Sequence, residues 1–309
     1  MSTTAYYPYR SEAARDSCFE YFDALAVRDW PIPPENRMVP TSFGETFVRA
    51  GGPPGAPPLV LLHGAATSSL QWAPNIKSLS AECRTYAVDQ IGEFGRSTCT
   101  RPPRTFDDLD AWLNELFDGL ALSGPVNLVG MSYGGAVTAH YALHFPQRVN
   151  RAILLAPGAT VLRSSIEFMV RLILIMVASR KFLPLFMRWI FADMARHDPK
   201  WIDSSLELLF TNIRNLQHRQ LPFPKVLTDA EWAAFKVPAL FLVGENEKIY
   251  SPEKAVRRLR RVAPQVIAEI VPGAGHDLTF VQAELVNQRI LAFLKPEPAT
   301  DQLRQARAS

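Results

Sequence analysis

Short, fully apolar runs alternate along the chain with longer stretches of helical periodicity. The apolar runs lie at 59–62, 85–88, 126–129, 152–155, 239–243 and 268–271. Runs without alternating polar residues are typical of strands that are covered on both faces, as in parallel sheets. Helical stretches are predicted between and after these runs, at 72–79, 106–122, 136–145, 252–262 and 282–294. This alternation predicts an α/β fold with a mostly parallel, doubly wound sheet.

The chain before the first apolar run follows a different pattern. Ser11 is a favourable N-cap for a helix over 11–29, and the prolines that follow this stretch end it. Two short strands at 39–41 and 45–50 flank Gly44. They predict an antiparallel hairpin beside the parallel sheet.

Residues 158–235 interrupt the alternation, because they contain several helical stretches and no clear strand. The stretch 166–177 is apolar on nearly every side, broken by Glu167 and Arg171. Such a helix needs cover, which we expect from the core, from a second copy in a homodimer, or from an apolar substrate beneath a lid. The chain therefore divides into an N-terminal helix and linker (1–36), an α/β core (37–157 and 236–295), an inserted helical cap (158–235) and a flexible tail (296–309).

Composition describes an ordinary globular protein. The 309 residues are 48% hydrophobic and 20% charged, with 33 basic against 30 acidic side chains. This balance does not favour nucleic acid as a partner. The N-terminus is polar rather than signal-like, and no apolar run reaches the ~18 residues that a membrane-spanning helix needs. Three widely spaced cysteines predict neither a disulfide framework nor a zinc site, so the expected compartment is the cytoplasm.

The run at 126–129 leads into Gly130-Met131-Ser132-Tyr133-Gly134 and then into a helical stretch. A strand, a Gly-x-Ser-x-Gly turn and a helix form a nucleophile elbow, which raises a serine hydroxyl above the sheet. Glycine is expected two residues either side of Ser132, because a Cβ there would collide with backbone in so tight a turn. A serine nucleophile needs a base within hydrogen-bond reach and a third group that orients the base.

Five of the six histidines have a simpler interpretation than catalysis. His140 and His144 have the i, i+4 spacing of metal ligands, but no acidic residue or cysteine adjoins them in sequence. This favours helix surface or packing. His63 starts a loop directly after a strand and is expected to tie that loop down. His197 and His218 lie in polar parts of the cap, where surface positions are expected.

His276 remains, in a glycine-containing loop after the last predicted strand. That loop belongs to the carboxyl edge of the sheet, where ligands bind in open α/β sheets, so His276 is the expected general base. In folds of this order the acid lies between the serine and the histidine. Glu245 and Glu247 both follow the run at 239–243. We expect Glu247 to orient the base, since it has the turn needed to reach it, and Asp277 to point away or to cap the next segment.

Two backbone amides are expected to form an oxyanion hole. Tyr133 offers one at the start of a helix, where the dipole also favours negative charge. Ala65 offers the other, from the loop after His63. The substrate pocket is expected to be lined by apolar residues beside the elbow, in that loop and in the cap, namely Met131, Ala66, Phe168, Leu172 and Phe186. Neither a metal ion nor a cofactor is expected.

These motifs resemble those of α/β-hydrolases and occur in the same order along nearly the whole chain. They are His63-Gly64, Asp89 with Gly92, Gly95 and Ser97, the elbow at Ser132, Gly244-x-x-Glu247 and Gly273-Ala274-Gly275-His276. More narrowly, the segments 59–65, 86–89 and 244–250 resemble bacterial carboxylesterases that cleave profen (naproxen) esters. The resemblance implies a Ser-Glu-His triad, and it is weakest over 158–235, where a pocket would be shaped.

The expected function is hydrolysis of carboxylic esters of small apolar or aryl substrates through an acyl-enzyme. A small-molecule ester is then the partner. Ring opening of lactones, cleavage of carbon–carbon bonds and acyl transfer in a biosynthetic pathway use the same oxyanion chemistry and stay open as alternatives. A non-catalytic small-molecule receptor is an alternative from a different class.

Overall fold

The computed structural model describes residues 7–217 and 221–295. Nine strands within these ranges form one sheet, in the order β1-β2-β4-β3-β6-β7-β8-β9 with β5 paired to β2. The strands are β1 Glu35–Thr41, β2 Gly44–Gly51, β3 Pro58–Leu62, β4 Arg84–Val88, β5 Thr98–Cys99, β6 Val126–Met131, β7 Val149–Leu155, β8 Ala239–Gly244 and β9 Val266–Val271. The tail predicted at 296–309 and the predicted surface position of His218 lie outside the described residues.

Helices cover both faces of the sheet and form the insertion after β7. They are α1 Glu12–Asp29, α2 Ala73–Glu82, α3 Phe106–Gly119, α4 Tyr133–His144, α5 Ile166–Val177, α6 Ser179–Ile190, α7 Ala192–His197, α8 Pro199–Asn215, α9 Asp229–Ala233, α10 Pro252–Val262, α11 Leu278–Val281 and α12 Ala283–Leu294. Within the described ranges, no helix combines the length and the apolar character needed to cross a membrane.

The predicted doubly wound, mostly parallel sheet is confirmed. Six neighbouring strands of the sheet pair in parallel, in the order β4, β3, β6, β7, β8 and β9. Every residue of β4, β6 and β8 is buried. Side chains of α3, α4 and α10 pack in one large core cluster, and those of α2 and α12 pack in another. Burial on both faces explains why these strands carry uninterrupted apolar runs.

The ends of the sheet differ from the sequence prediction. β1 begins at Glu35 rather than at 39, inside the segment predicted as linker, and its first four residues are exposed. It is an edge strand, so it lacks the apolar signal of a buried one. β5 has only two residues, too few to show a period. Helical structure after β9 begins at Leu278, before the predicted start at 282.

The inserted segment contains α5 to α9, in agreement with a helical cap. Helices α6 and α8 share a small core cluster of Leu183, Met187, Ile202 and Leu206. Helix α5 has no buried residue, and Ile166 and Val177 are 83% and 78% exposed. One chain therefore does not supply the cover expected for this helix, and cover by a second copy or a substrate stays a prediction.

Candidate active site

Ser132 lies between β6 and α4 in a strained backbone conformation, with φ at 52° and ψ at −112°. A Cβ at Gly130 would lie 2.1 Å from the carbonyl oxygen of Gly134. A Cβ at Gly134 would lie 2.4 Å from the carbonyl oxygen of Leu62. Real side chains cannot approach so closely, so the glycines make the elbow possible, and the turn leaves Ser132 half-buried at the carboxyl edge of the sheet.

The structure brings Ser132, His276 and Glu247 together, although they are far apart in sequence. His276 Nε2 lies 2.9 Å from Ser132 Oγ, and His276 Nδ1 lies 2.8 Å from Glu247 Oε2. The second oxygen, Glu247 Oε1, accepts hydrogen bonds from the amides of Lys248 and Ile249, both at 2.8 Å. The first two contacts form a continuous path from the carboxylate to the serine hydroxyl, and the other two hold the carboxylate in place.

The two loops that carry Glu247 and His276 pack tightly against each other. Gly244 ends β8, and a Cβ there would lie 2.3 Å from the carbonyl oxygens of both Ala274 and Gly275. Glu245 is exposed and accepts a hydrogen bond from the amide of Gly273 at 3.0 Å. The structure therefore places Glu247, not Glu245, beside the histidine.

The surroundings of His276 change its pKa. Burial by itself would lower the pKa of this imidazole. The charge of Glu247, its hydrogen bond and the charge of Asp277 outweigh burial, so the pKa of His276 is raised above its ordinary value. Stabilisation of the imidazolium by a carboxylate is the property required of the third group in such a triad.

Two of three consecutive backbone amides in the loop after β3 donate hydrogen bonds within the protein. The Gly64 amide donates to Gln71 Oε1 at 2.7 Å, and the Ala66 amide donates to Glu93 Oε2 at 3.1 Å. Between them, the Ala65 amide donates to no acceptor within residues 7–217 and 221–295. Gly64 borders the nucleophile, since a Cβ there would lie 3.4 Å from the Ser132 Cβ. The amide that donates no hydrogen bond within the described residues therefore belongs to Ala65, the residue predicted from the sequence to form part of the oxyanion hole.

Tyr133, the other nominated donor, is the first residue of α4 and is buried. Its amide lies at the positive end of the helix dipole, directly after the nucleophile. Its hydroxyl donates to the carbonyl of Pro222 at 3.1 Å, and its ring contacts Phe106. The side chain thus links the elbow to the end of the cap segment.

His63 holds the loop after β3, as predicted. The imidazole is fully buried, and its Nδ1 lies 2.7 Å from the carbonyl oxygen of Gly64. Its Nε2 accepts a hydrogen bond from the amide of Gln90 at 3.0 Å. Both ring nitrogens therefore contact backbone groups of the two adjoining loops.

The nominated pocket residues lie in three environments. Phe168 and Phe186 meet across α5 and α6, with ring centroids 5.9 Å apart, and Leu172 is half-buried on α5. Ala66 is half-buried with φ at 62° and packs towards the cluster around Tyr9 and Phe22. Met131 is 1% exposed and packs in the core cluster that contains α2 and α12 side chains, so it forms structural support beneath the elbow.

Several residues that hold the cap against the site have no sequence signal. Asp193 in α7 accepts hydrogen bonds from Asn246, the neighbour of Glu247, at 3.1 and 3.2 Å. Asp277 points away from Ser132, as expected, and accepts from the amides of Met194 at 2.7 Å and Gly275 at 3.0 Å. Burial raises the pKa of Asp277, and those two hydrogen bonds oppose the rise. These contacts fasten the cap to both triad loops.

The histidine pair on α4 has an acidic neighbour that its sequence surroundings concealed. Asp110 of α3 lies with Oδ2 3.0 Å from His140 Nδ1 and 3.8 Å from His144 Nδ1. The expectation that no acid accompanies the pair is therefore corrected, and ligand atoms of the three residues lie within 4.8 Å of one another. However, His144 Nδ1 also lies 2.9 Å from the His140 carbonyl oxygen, which already engages that nitrogen.

A parallel sheet with an elbow serine, a histidine and a glutamate at its carboxyl edge is the arrangement of α/β-hydrolases. The sequence matches the family model described as the alpha/beta hydrolase family over residues 59–289. The chain belongs to this family.

Individual relatives cover nearly the whole chain. It is 36% identical to the uncharacterized carboxylesterase nap of Bacillus subtilis, over 90% of this chain and 91% of the relative. It is 34% identical to carboxylesterase YbfK of the same species, over 91% of this chain and 96% of the relative. The crystal structure of naproxen esterase (carboxylesterase NP) from Bacillus subtilis matches with a TM-score of 0.82 and 34% identity, covering 93% of this chain and 100% of that chain.

Proposed function

We propose that the protein hydrolyses carboxylic esters with Ser132 as nucleophile, His276 as general base and Glu247 as the group that orients it. Carboxylesterase relatives at 34 to 36% identity and the family match make it a hydrolase of the carboxylesterase type. The observation that carries the residue assignment is the unbroken path Glu247–His276–Ser132, with contacts of 2.8 and 2.9 Å.

The geometry supports a two-step reaction. Ser132 Oγ attacks the ester carbonyl while its proton moves to His276 Nε2, and the amides of Tyr133 and Ala65 receive the oxyanion. Collapse of the tetrahedral intermediate expels the alcohol, which takes the proton from His276. Water then attacks the acyl-enzyme by the same route and releases the acid. Glu247 keeps the proton of the neutral imidazole on Nδ1, so that Nε2 faces the serine as an acceptor.

Aromatic residues around the site support a small apolar or aryl substrate. The ring of Phe191, between α6 and α7, lies 6.2 Å from the His276 ring. Phe168 and Phe186 form a further aromatic pair in the same cap. The Bacillus subtilis relative of known structure is named a naproxen esterase, an activity towards an aryl acid ester. We extend to this chain the preference for esters with an apolar or aryl group.

Replacement of the nucleophile tests the proposal. Ser132→Ala should abolish the burst and the turnover of p-nitrophenyl esters, and a fluorophosphonate should label the wild-type protein at Ser132 but not this variant. Loss of the nucleophile in such triads costs about 10⁶ in turnover. Retained turnover, or labelling at another residue, would contradict the assignment. Labelling of Ser132 would count against a non-catalytic receptor, whereas stoichiometric binding of a small molecule without turnover would favour one.

We place this activity in the cytoplasm. Cys18, Cys83 and Cys99 are all buried and unpaired, and burial raises the pKa of each thiol. Free, protonated cysteines are typical of reducing compartments. Fractionation of the native cells with an antibody against the protein tests this placement.

A further inference from the structure

A cavity away from the triad lies on the side of the molecule formed by α1, the segment that follows it and the β1–β2 hairpin. Its volume is about 810 Å³, and its wall includes Trp30, Ile32, Met38 and Phe47. No member of the proposed triad belongs to this wall. Cavities of ~300–1,000 Å³ that are mostly apolar and have a few polar groups are typical of small-molecule sites.

Arg49 is the charged group that distinguishes this cavity. It projects from β2, lines the cavity and is only 2% exposed. Its Nε lies 3.2 Å from Ser69 Oγ, and its guanidinium lies 4.9 Å from the Phe47 ring centroid and 5.8 Å from that of Trp30. Within residues 7–217 and 221–295, no carboxylate forms an ion pair with it.

The other cations of the cavity wall differ from Arg49 in this respect. Arg96 pairs with Asp23, and Arg37 pairs with Glu35 at 3.3 Å. Both are also more exposed than Arg49, which is the one cation of this wall without an ion-pair partner among the described residues. The cavity therefore offers one buried positive charge to whatever occupies it.

Burial of this charge is unfavourable without a partner. Burial lowers the pKa of the Arg49 guanidinium, and the charge of Arg96 adds to this effect, while the charges of Asp89 and Asp23 oppose it. Asp23 is already paired with Arg96. The two Asp89 oxygens are already engaged by the amides of Ser69 and Arg96, both at 2.7 Å. An arginine stays protonated even so, and its planar group matches a carboxylate in two parallel hydrogen bonds. An anion in the cavity would supply the missing counter-charge.

We propose that this cavity binds a small carboxylate with an apolar or aryl body, its carboxylate on Arg49 and its body against Trp30, Phe47 and Met38. The aromatic faces and the single unpaired cation select an amphipathic monoanion over a neutral or multiply charged ligand. The acid released by ester hydrolysis belongs to this class. The site itself does not depend on the proposed activity, because it shares no residue with the triad.

Calorimetric titration with 2-naphthylacetate tests the site. The wild-type protein whose Ser132 has been blocked by a fluorophosphonate should bind one equivalent, and Arg49→Met should weaken this binding about tenfold or more. The neutral analogue 2-(2-naphthyl)ethanol should bind more weakly than the acid by a similar factor. Arg37→Met, which removes a paired cation from the same wall, is the matched control and should change the affinity less than about twofold.

A second variant separates loss of the ligand site from loss of the fold. Ala26 lines the cavity and is half-buried, so Ala26→Phe should fill the cavity and abolish binding while Arg49 is kept. Circular dichroism and hydrolysis of p-nitrophenyl acetate should match the wild type. Equal binding of acid and alcohol, unchanged affinity in folded Arg49→Met, or no binding to the blocked wild type would each overturn the proposal. Failure of the esterase assignment would give a different result, namely no hydrolysis and no labelling of Ser132. The blocked protein could not be prepared in that case, and Ser132→Ala would replace it in the titration.

Discussion

The carboxyl edge of the sheet carries buried polar side chains, whereas helix α5 of the cap carries exposed apolar ones. The Glu247 side chain is fully buried and that of His276 is 8% exposed. On α5, by contrast, Ile166 and Val177 are 83% and 78% exposed. The comparison teaches that apolar content alone does not decide burial. Position relative to the sheet decides it.

The physical reason lies in what surrounds each region. The triad loops emerge from strands that are covered on both faces, and they are tied to each other at Gly244 and to the cap through Asp193 and Asp277. Helix α5 begins directly after Ser165, which contacts the backbone of Lys248 and Ile249. Within the helix, Phe168 packs against the main core cluster. The helix packs mainly on α6, so most of its circumference faces away from the protein. The proposed catalytic groups therefore occupy the tightly packed region, and the exposed apolar surface belongs to the more sparsely packed one.

The largest expected contrast is between two histidines of the same chain. His276→Ala should reduce kcat/KM for p-nitrophenyl butyrate by about 10⁴-fold or more, because Ser132 then has no base. His144→Ala, on the exposed side of α4, should leave kcat/KM within about twofold of the wild type. Steady-state kinetics of the two purified variants measure this. Similar losses in both would show that the site extends along α4.

A slightly smaller contrast separates the two glutamates after β8. Glu247→Gln should lower kcat by about 10³- to 10⁴-fold, since the amide cannot stabilise the imidazolium and disturbs its tautomer. Glu245→Gln affects an exposed carboxylate that contacts only the Gly273 amide, and the loss should be less than about threefold. Turnover of a single ester by both variants tests the assignment, and a greater loss at Glu245 would reverse it.

The pH dependence probes the electrostatics around His276. The base must be neutral, and the pKa of His276 is raised, so kcat/KM should fall with decreasing pH from a midpoint above the ordinary value of 6.5. In Glu247→Gln the larger of the two raising charges is lost, that of Asp277 remains, and burial still lowers the pKa of the imidazole. The midpoint of the residual activity should therefore move to lower pH. An unchanged midpoint would mean that another group controls the acid limb.

The smallest expected effect concerns stability rather than activity. Ile153 in β7 is fully buried, whereas Ile173 in α5 is 55% exposed. Ile153→Ala should reduce the free energy of unfolding by about 2–5 kcal/mol through lost burial and a cavity. Ile173→Ala should change it by less than about 0.5 kcal/mol. Urea denaturation of both variants provides the comparison, and a large loss at Ile173 would indicate that α5 is covered in solution.

The amino-acid sequence alone determined the features that depend on local sterics and periodicity. Uninterrupted apolar runs predicted the parallel strands, because a strand buried on both faces has no polar side to display. Gly130 and Gly134 marked the elbow, since no side chain fits between its strand and helix. The positions of Glu247 and His276 after predicted strands, and their order after Ser132, then indicated the other two members of the proposed triad.

Only the tertiary structure decided the contacts between side chains distant in sequence. Asp110 beside His140, Gln71 beneath Gly64 and Asp193 beside Asn246 come from separate elements, and no local pattern records that these elements meet. The exposed start of edge strand β1 and the exposure of the apolar helix α5 could not be predicted from the sequence for the same reason. Burial depends on which neighbours folding brings, as the unpaired, buried charge of Arg49 also shows. A residue's own type sets the cost of burial, and the assembled fold sets whether that cost arises.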